Sequence, residues 1–299
     1  MIVCLGEPLV EFNHQRDGTW VQGFGGDTSN VAIAAARQGA NTAMLTHLGD
    51  DEFADGLMAL WAAEGVSADF VRRVPSAPTG IYFIHHGDEG HRFTYRRAGS
   101  AAALMRPDDI SAAAICSAKI LHLSGISMAI SPSACDACFA AMRLAKEAGV
   151  TVSLDTNLRT LLWPVDRARA VIHDAMRFVD IALPGMDDAR ALSGLTDPDE
   201  IVDFYRDLGP NVVALTVGED GARVALGDER LIVPSRKAAL KDASGAGDCF
   251  DGAFLARISA GDSVADAAHY AVVAASLSVE GYGAIAPIPR AEAVHAALN

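Results

Sequence analysis

Lys119-Ile120-Leu121-His122-Leu123, then Ser133-Ala134-Cys135-Asp136-Ala137-Cys138-Phe139-Ala140-Ala141-Met142-Arg143-Leu144-Ala145-Lys146, then Thr151-Val152-Ser153-Leu154 are the three stretches that decide the fold. The first and third are short apolar and β-branched runs of strand length. The second has helical periodicity and is opened by Ser131-Pro132-Ser133, a helix-start signal. Strand, helix, strand at this spacing predicts two parallel strands joined by a crossover helix. The same alternation extends in both directions. Further strand-like runs lie at 2–5, 42–48, 179–183 and 212–217. Helical patterns lie at 28–38, 51–63, 166–178, 187–192, 200–208, 246–258 and 263–279. The expectation is one α/β domain over residues 1–299, with a mostly parallel sheet covered by helices on both faces. No internal repeat or inter-domain linker interrupts it.

Two segments break the alternation. Residues 10–24 alternate without a helix, and residues 80–97 read as two strands around a turn at His86-Gly87-Asp88-Glu89-Gly90. Both fit a small β-sheet inserted into the α/β body, placed to act as a lid that excludes water from a bound substrate.

Composition narrows the function. The chain is 51% hydrophobic and 21% charged, enough for a sizeable core. Its net charge of −14 repels phosphate backbones, so no nucleic-acid partner is expected. No apolar run approaches a membrane span, and Met1-Ile2-Val3-Cys4-Leu5 lacks the basic flank of a signal peptide. Five cysteines, an odd number, suit a reducing cytoplasmic setting. Cys135 and Cys138 form a lone C-x-x-C inside the predicted helix, without the second pair that a zinc site needs, and are read as ordinary helix residues.

The most chemically suggestive stretch is Asp242-Ala243-Ser244-Gly245-Ala246-Gly247-Asp248-Cys249-Phe250. Small residues before a helix leave backbone N–H groups open to an anion, and the helix dipole adds positive potential. Asp248 falls in the first turn beside that site, where a general base for a hydroxyl acceptor belongs. Taken alone, the stretch reads first as an ordinary helix N-terminus with a dipole-complementing Asp248.

Residues 242–248 match the D-x-[ST]-G-A-G-D signature of the ribokinase/PfkB carbohydrate kinases. Gly25-Gly26-Asp27-Thr28-Ser29-Asn30-Val31-Ala32 resembles that family's G-G-x-x-x-N-x-A helix start. The two signatures lie far apart and in the family's order, and the resemblance extends through nearly the whole chain. It implies a ribokinase-like fold and an ATP-dependent phosphotransferase using Mg2+, with Asp248 as general base and Gly245, Ala246 and Gly247 as anion hole. It places Gly26, Asp27 and Asn30 at the sugar. Thr216, Gly218 and Gly221 resemble the nucleotide-side turn, along with Gly245 and Gly247; Thr216-Val217-Gly218-Glu219-Asp220-Gly221 is equally a plain hairpin turn. Gly185-Met186-Asp187-Asp188 stands where relatives carry N-x-x-E, leaving Asp188 to reach the metal through water. Val272 or Val273 stands where many relatives carry a nucleotide-contacting Asn. A monovalent cation near Asp242 and a homo-oligomer formed through the lid are further implications.

Within the family the chain is most similar to 2-keto-3-deoxygluconate kinases. The cues are Gly6-Glu7-Pro8-Leu9-Val10, Tyr95-Arg96-Arg97 and Asp155-Thr156-Asn157-Leu158-Arg159. The resemblance gives Tyr95, Arg97 and Arg159 to a sugar acid that becomes the 6-phosphate, and guanidinium forks suit its carboxylate. Alternatives stay open. Arg159 has Asp155 and Asp166 as possible structural partners, Arg97 is equally an exposed residue of the flap, and Tyr82 either faces the pocket or packs. A fructose-type or ribose-type neutral sugar is the other substrate class, and an inactive sugar-binding relative the other functional class. A dinucleotide-dependent oxidoreductase is excluded, because its glycine fingerprint belongs directly after the first strand.

Overall fold

The run of apolar residues at the N-terminus becomes the middle of the molecule. In the computed structural model, which describes residues 1–87 and 90–298, it forms β1 (Ile2–Leu5). The chain continues as β2 (Leu9–His14), β3 (Trp20–Gly25), α1 (Asp27–Arg37), β4 (Thr42–Gly49), α2 (Glu52–Glu64) and β5 (Val66–Val74). After β6 (Ile81–Gly87) and β7 (Gly90–Arg96) come α3 (Ala112–Ser117), β8 (Ile120–Ser124), α4 (Gly125–Ala129) and α5 (Pro132–Glu147). Next are β9 (Thr151–Asp155), α6 (Val165–Ala175), β10 (Ile181–Leu183), α7 (Met186–Ser193), α8 (Pro198–Asp207) and β11 (Val212–Thr216). β12 (Ala222–Leu226), β13 (Glu229–Val233), α9 (Ala246–Ala260), α10 (Val264–Ser278) and α11 (Ala291–Leu298) complete the fold.

Among the described residues, nine strands form one sheet in the order β13-β12-β11-β10-β9-β8-β1-β4-β5. From β11 to β5 every pairing is parallel, and the β11-β12-β13 edge is antiparallel. Alternate residues of β1 enter opposite cores, as strand geometry requires. Ile2 and Cys4 pack with α1, α2, α9 and α10; Val3 and Leu5 pack with α5 to α8. The sheet is therefore buried on both faces, and its central strands read as unbroken apolar runs. The Ser131-Pro132 start signal works as expected, with Ser131 Oγ accepting from Ala134 N at 3.0 Å and Pro132 at the first helical position. Cys135 and Cys138 lie on α5, and all five cysteines are free.

A second sheet, in the order β3-β2-β6-β7, branches off where β1 gives way to β2. It contains the two segments that broke the sequence alternation. Asp88 and Glu89 of the expected hairpin turn lie outside the described residues. Among the described residues no helix is long and apolar enough to cross a membrane.

Two connections tie distant parts of the body together. Gly252 lets α9 press against α1, since an added Cβ would stand 2.6 Å from Val31 O and 2.5 Å from Ala34 Cβ. Arg37, at the end of α1, pairs with Glu64 at 2.8 Å and donates from Nη1 to Ile285 O at 2.9 Å and Ile288 O at 2.6 Å. Gln38 donates to Pro289 O at 2.8 Å, so the segment before α11 is fastened to α1.

Candidate active site

In an open parallel sheet, strands ending side by side leave a crevice beyond their carboxyl ends. Here β9, β10 and β11 deliver Asp155, Leu183 and Thr216 to such a place, and the N-terminus of α9 closes it. The resulting cavity is about 290 Å³ and is also lined by Asn157, Arg159, Asp188, Gly245, Ala246, Gly247, Asp248 and Asp251.

The turn that opens α9 is forced by its backbone. Gly245 sits at the N-cap with φ 71° and ψ 9°, and a Cβ there would stand 2.8 Å from Ala284 O. Only glycine tolerates both the left-handed conformation and that approach. Ala246 N–H donates to Ala243 O at 3.2 Å. Asp242 holds the turn from behind, accepting from Ser244 N at 2.9 Å and Gly283 N at 2.8 Å.

Asp248 follows in the first turn of α9. Because α1 and α9 pack tightly, Asn30 reaches it, donating from Nδ2 to Asp248 Oδ2 at 2.8 Å. This bond fixes the rotamer of the carboxylate and joins the two glycine-containing motifs across 218 residues. Burial, and then the charge of Asp27, push the Asp248 carboxyl up to about 7; the Asn30 hydrogen bond and Arg159 work in the opposite direction. Near neutral pH such a group has both the basicity to take a hydroxyl proton and a substantial ionised fraction.

Asp27 is buried, accepting from Thr28 N at 2.8 Å and from Asn157 Nδ2 at 3.0 Å. Asn157 is the only non-glycine residue with a positive φ, 28°, among the described residues. Its own N–H donates to Asp155 Oδ1 at 3.0 Å, so the loop after β9 links Asp27 to the cavity. Burial raises Asp155, and the charges of Asp248, Asp188 and Asp27 add to it. Asp188, on α7, gives one oxygen to Leu158 N–H at 2.9 Å. Burial raises Asp188 as well, against the pull of that N–H and of Arg159. Arg159 has neither of its suggested structural partners: Asp166 pairs with Arg169, and Asp155 takes the Asn157 N–H. Its guanidinium donates to Leu158 O at 2.9 Å and is otherwise turned to the cavity.

The small sheet places Tyr82, Tyr95 and Arg97 together. Tyr82 and Tyr95 stack with ring centroids 5.6 Å apart, and the Arg97 guanidinium lies 5.5 Å from the Tyr95 centroid. Tyr82 donates to Glu11, and the Asp248 charge helps to raise its hydroxyl after burial and Glu11. Arg97, however, is not an exposed flap residue. Its Nε donates to the fully buried Glu7 at 2.6 Å and its Nη2 pairs with the same carboxylate, while Ser100 Oγ donates to Glu7 from the other side at 2.5 Å. Nothing in the sequence pairs Glu7 with an arginine 90 positions away. Asp251 was likewise passed over, although it lies three residues after Asp248 on the same helical face.

Gly218 and Gly221 flank a short turn, and β11 and β12 form the antiparallel hairpin that was the plain alternative for this segment. Of that turn only Thr216 lines the cavity. Val272 and Val273 are buried in α10 within the core. Among the described residues no three His, Cys, Asp or Glu side chains converge to hold a metal ion by themselves.

Comparison with known proteins agrees with this arrangement. The family model described as pfkB family carbohydrate kinase matches residues 1–291. A 2-dehydro-3-deoxygluconokinase from Thermoproteus tenax is 36% identical over 97% of this chain and 92% of its own. Fructokinase-1 from Oryza sativa subsp. japonica is 34% identical over 86% of this chain and 83% of its own. The crystal structure of a fructokinase from Xylella fastidiosa with bound ATP superposes with a TM-score of 0.89 and 25% identity, covering 99% of this chain and 97% of that one. With a carboxylate held by Asn30 beside a glycine-built helix start, and with a family model spanning all but the last residues, the chain belongs to the pfkB family of carbohydrate kinases and is an ATP-dependent sugar kinase.

Proposed function

We propose that the chain transfers the γ-phosphoryl group of ATP to a hydroxyl of a sugar acid, converting 2-keto-3-deoxygluconate (2-dehydro-3-deoxygluconate) to its 6-phosphate in the cytoplasm. The observation that carries the chemistry is the Asp248 carboxylate, fixed by Asn30 and poised near neutral pH at the mouth of α9. In this reading the acceptor hydroxyl sits against Asp248 and gives up its proton as the new P–O bond forms. The phosphoryl group migrates past Gly245, Ala246 and Gly247, whose amides and helix dipole stabilise its charge. The Ala246 N–H, already turned to Ala243 O, is the weakest donor of the three. Thr216, Gly218 and Gly221 border the path of the nucleotide.

The donor set suits Mg2+, a hard cation that prefers carboxylate oxygens and water. Asp188 would reach it through water, since one of its oxygens is committed to Leu158 N–H. When bound, Mg2+ neutralises charge on the polyphosphate. A monovalent cation beside Asp242 would share that carboxylate with Ser244 and Gly283, which comparison of rates in potassium and choline salts tests.

The sugar acid lies between Asp27, Asn30 and Gly26 of the body and Tyr82 and Tyr95 of the small sheet, which serves as lid. Arg159 grips its carboxylate. Support for this substrate is the Arg159 guanidinium, which lines the cavity and makes no salt bridge among the described residues, together with the likeness to the Thermoproteus tenax enzyme. One observation favours a neutral sugar such as fructose instead: Arg97 is already neutralised by Glu7, which leaves one arginine rather than two for a carboxylate. Initial rates with ATP and 2-keto-3-deoxygluconate, fructose and ribose decide between them. A kcat/KM for fructose above that for the sugar acid overturns the first reading. Trp20 and Val21, exposed on β3, mark the lid surface on which a second copy would seat, and sedimentation of the Trp20→Ser variant checks this.

A further inference from the structure

A nucleotide carrying several negative charges has to approach a chain whose own net charge is −14. The field of such a molecule slows the encounter, and only local groups of opposite sign restore it. The cavity itself supplies few of them, since four aspartates line it against Arg159 alone. Glu219 and Asp220, exposed on the turn after β11, add to the repulsion.

The placement of the lysines offsets this. The chain has four of them, Lys119, Lys146, Lys237 and Lys241. Lys119 directly precedes β8, and Lys146 pairs at 2.6 Å with Asp180, which directly precedes β10, so both mark the strand-start end of the sheet, away from the cavity. Lys119 is engaged as well, donating from Nζ to Ser259 O at 3.3 Å. Lys237 and Lys241 lie at the opposite end. β13 is two antiparallel pairings from β11, runs in the same direction, and so finishes on the cavity side. There a Cβ on Gly221 would stand 2.0 Å from Val233 O and 2.6 Å from Ser235 N, so the segment leaving β13 passes directly against the turn after β11. It continues past the end of α10, where Arg236 pairs with Glu280 at 3.1 Å and Lys241 N–H donates to Val279 O at 2.8 Å. Two residues later it reaches Ala243 and Ser244, which line the cavity. Lys237 and Lys241 are exposed on this rim, and neither side chain has a hydrogen-bond or ion-pair partner among the described residues. The acids beside them are already occupied: Glu280 by Arg236, and Asp242 by the N–H groups of Ser244 and Gly283.

We propose that Lys237 and Lys241 draw the polyphosphate of ATP to the mouth of the cavity, raising its rate of capture without joining the contacts of the bound state. A hydrated ammonium on a flexible stem acts at a distance, whereas a phosphate in place is held by fixed amides and planar guanidinium groups. Charges on a rim change association and its salt dependence, and charges in the contact itself change dissociation. The proposal rests on ATP as phosphoryl donor and is independent of which sugar accepts.

The test is stopped-flow binding of the fluorescent nucleotide N-methylanthraniloyl-ADP to the full chain, with association and dissociation rates read separately. At about 10 mM ionic strength, where charges are felt over about 30 Å, Lys237→Gln combined with Lys241→Gln is expected to slow association roughly three- to tenfold. At about 0.5 M the difference should shrink to within about twofold, while dissociation stays within about twofold of the wild type at both salts. Lys237→Arg combined with Lys241→Arg keeps the charge and should restore the wild-type rate. Lys119→Gln combined with Lys146→Gln removes the same charge from the far end of the sheet and should leave association within about twofold. Equal slowing in that far-end variant would reveal a whole-molecule field and overturn the proposal. So would an unchanged association rate in the rim variant, slowing that persists at high salt, or a loss confined to dissociation, which marks a direct contact. Initial rates with ATP and each sugar are scored on the wild type, so the reading of the acceptor can fail without this one.

Discussion

The acidic cavity at the strand ends and the small sheet solve opposite electrostatic problems. The cavity gathers Asp155, Asp188, Asp248 and Asp251 around a helix start and leaves them undercompensated. The small sheet meets the body through Arg97, Glu7 and Ser100, a set in which each charge already has its partner. The cavity is thus built to be completed by a ligand, and the junction to hold shape without one. A buried pair of this kind gives little net stability but is costly to break.

The comparison breaks most visibly at Asp248. Asp248→Asn keeps the side chain's shape and removes the base, so kcat is expected to fall about a thousandfold while sugar KM changes little. Steady-state kinetics check it; a variant within tenfold of the wild type would remove Asp248 from the chemistry. On the other side, Glu7→Gln strands Arg97 in a buried position and is expected to destabilise the protein by about 3 kcal/mol, measured by urea unfolding. Arg159→Leu sharpens the contrast, because Arg159 is the one Lys or Arg among the residues lining the cavity. It should raise KM for a sugar acid roughly 10- to 100-fold, the worth of a charged hydrogen bond, and leave any fructose turnover unchanged. The smallest effect is on pH. With the Asp248 carboxyl raised to about 7, its basic form comes to predominate only above that value, so kcat/KM should climb as pH rises through neutrality. Asn30→Ala removes a donor that favours the ionised form and should move this limb to higher pH.

The two regions also differed in how far the sequence revealed them. The cavity's glycine turn is contiguous, and Asp248 sits within it, so its geometry, a glycine helix start with a carboxylate in the first turn, reads directly from residues 242–248. The central strands are legible for a related reason: burial on both faces demands unbroken apolar runs such as residues 212–215. β5 escaped notice because, as an edge strand, Val66–Val74 carries Ser67, Asp69, Arg72 and Arg73 among its apolar residues. β12 and β13 were hidden behind the turn that precedes them, which carries both a nucleotide motif and a hairpin. The Glu7–Arg97 pair is illegible in principle, since it arises only when β7 returns to the end of β1. Asp251 is signalled in sequence only by its spacing from Asp248, three residues earlier on the same helical face, and tertiary packing is what buries it.

The clasp of Arg37 and Gln38 on residues 285–289 reaches further than its position suggests. The clasped segment includes the neighbour of Ala284, whose carbonyl abuts Gly245, and follows Gly283, whose N–H supports Asp242. The chain's final stretch therefore acts as a buttress for a loop it never enters. Truncations or fusions made there for convenience of purification would be felt first as slower turnover, before any loss of folded protein.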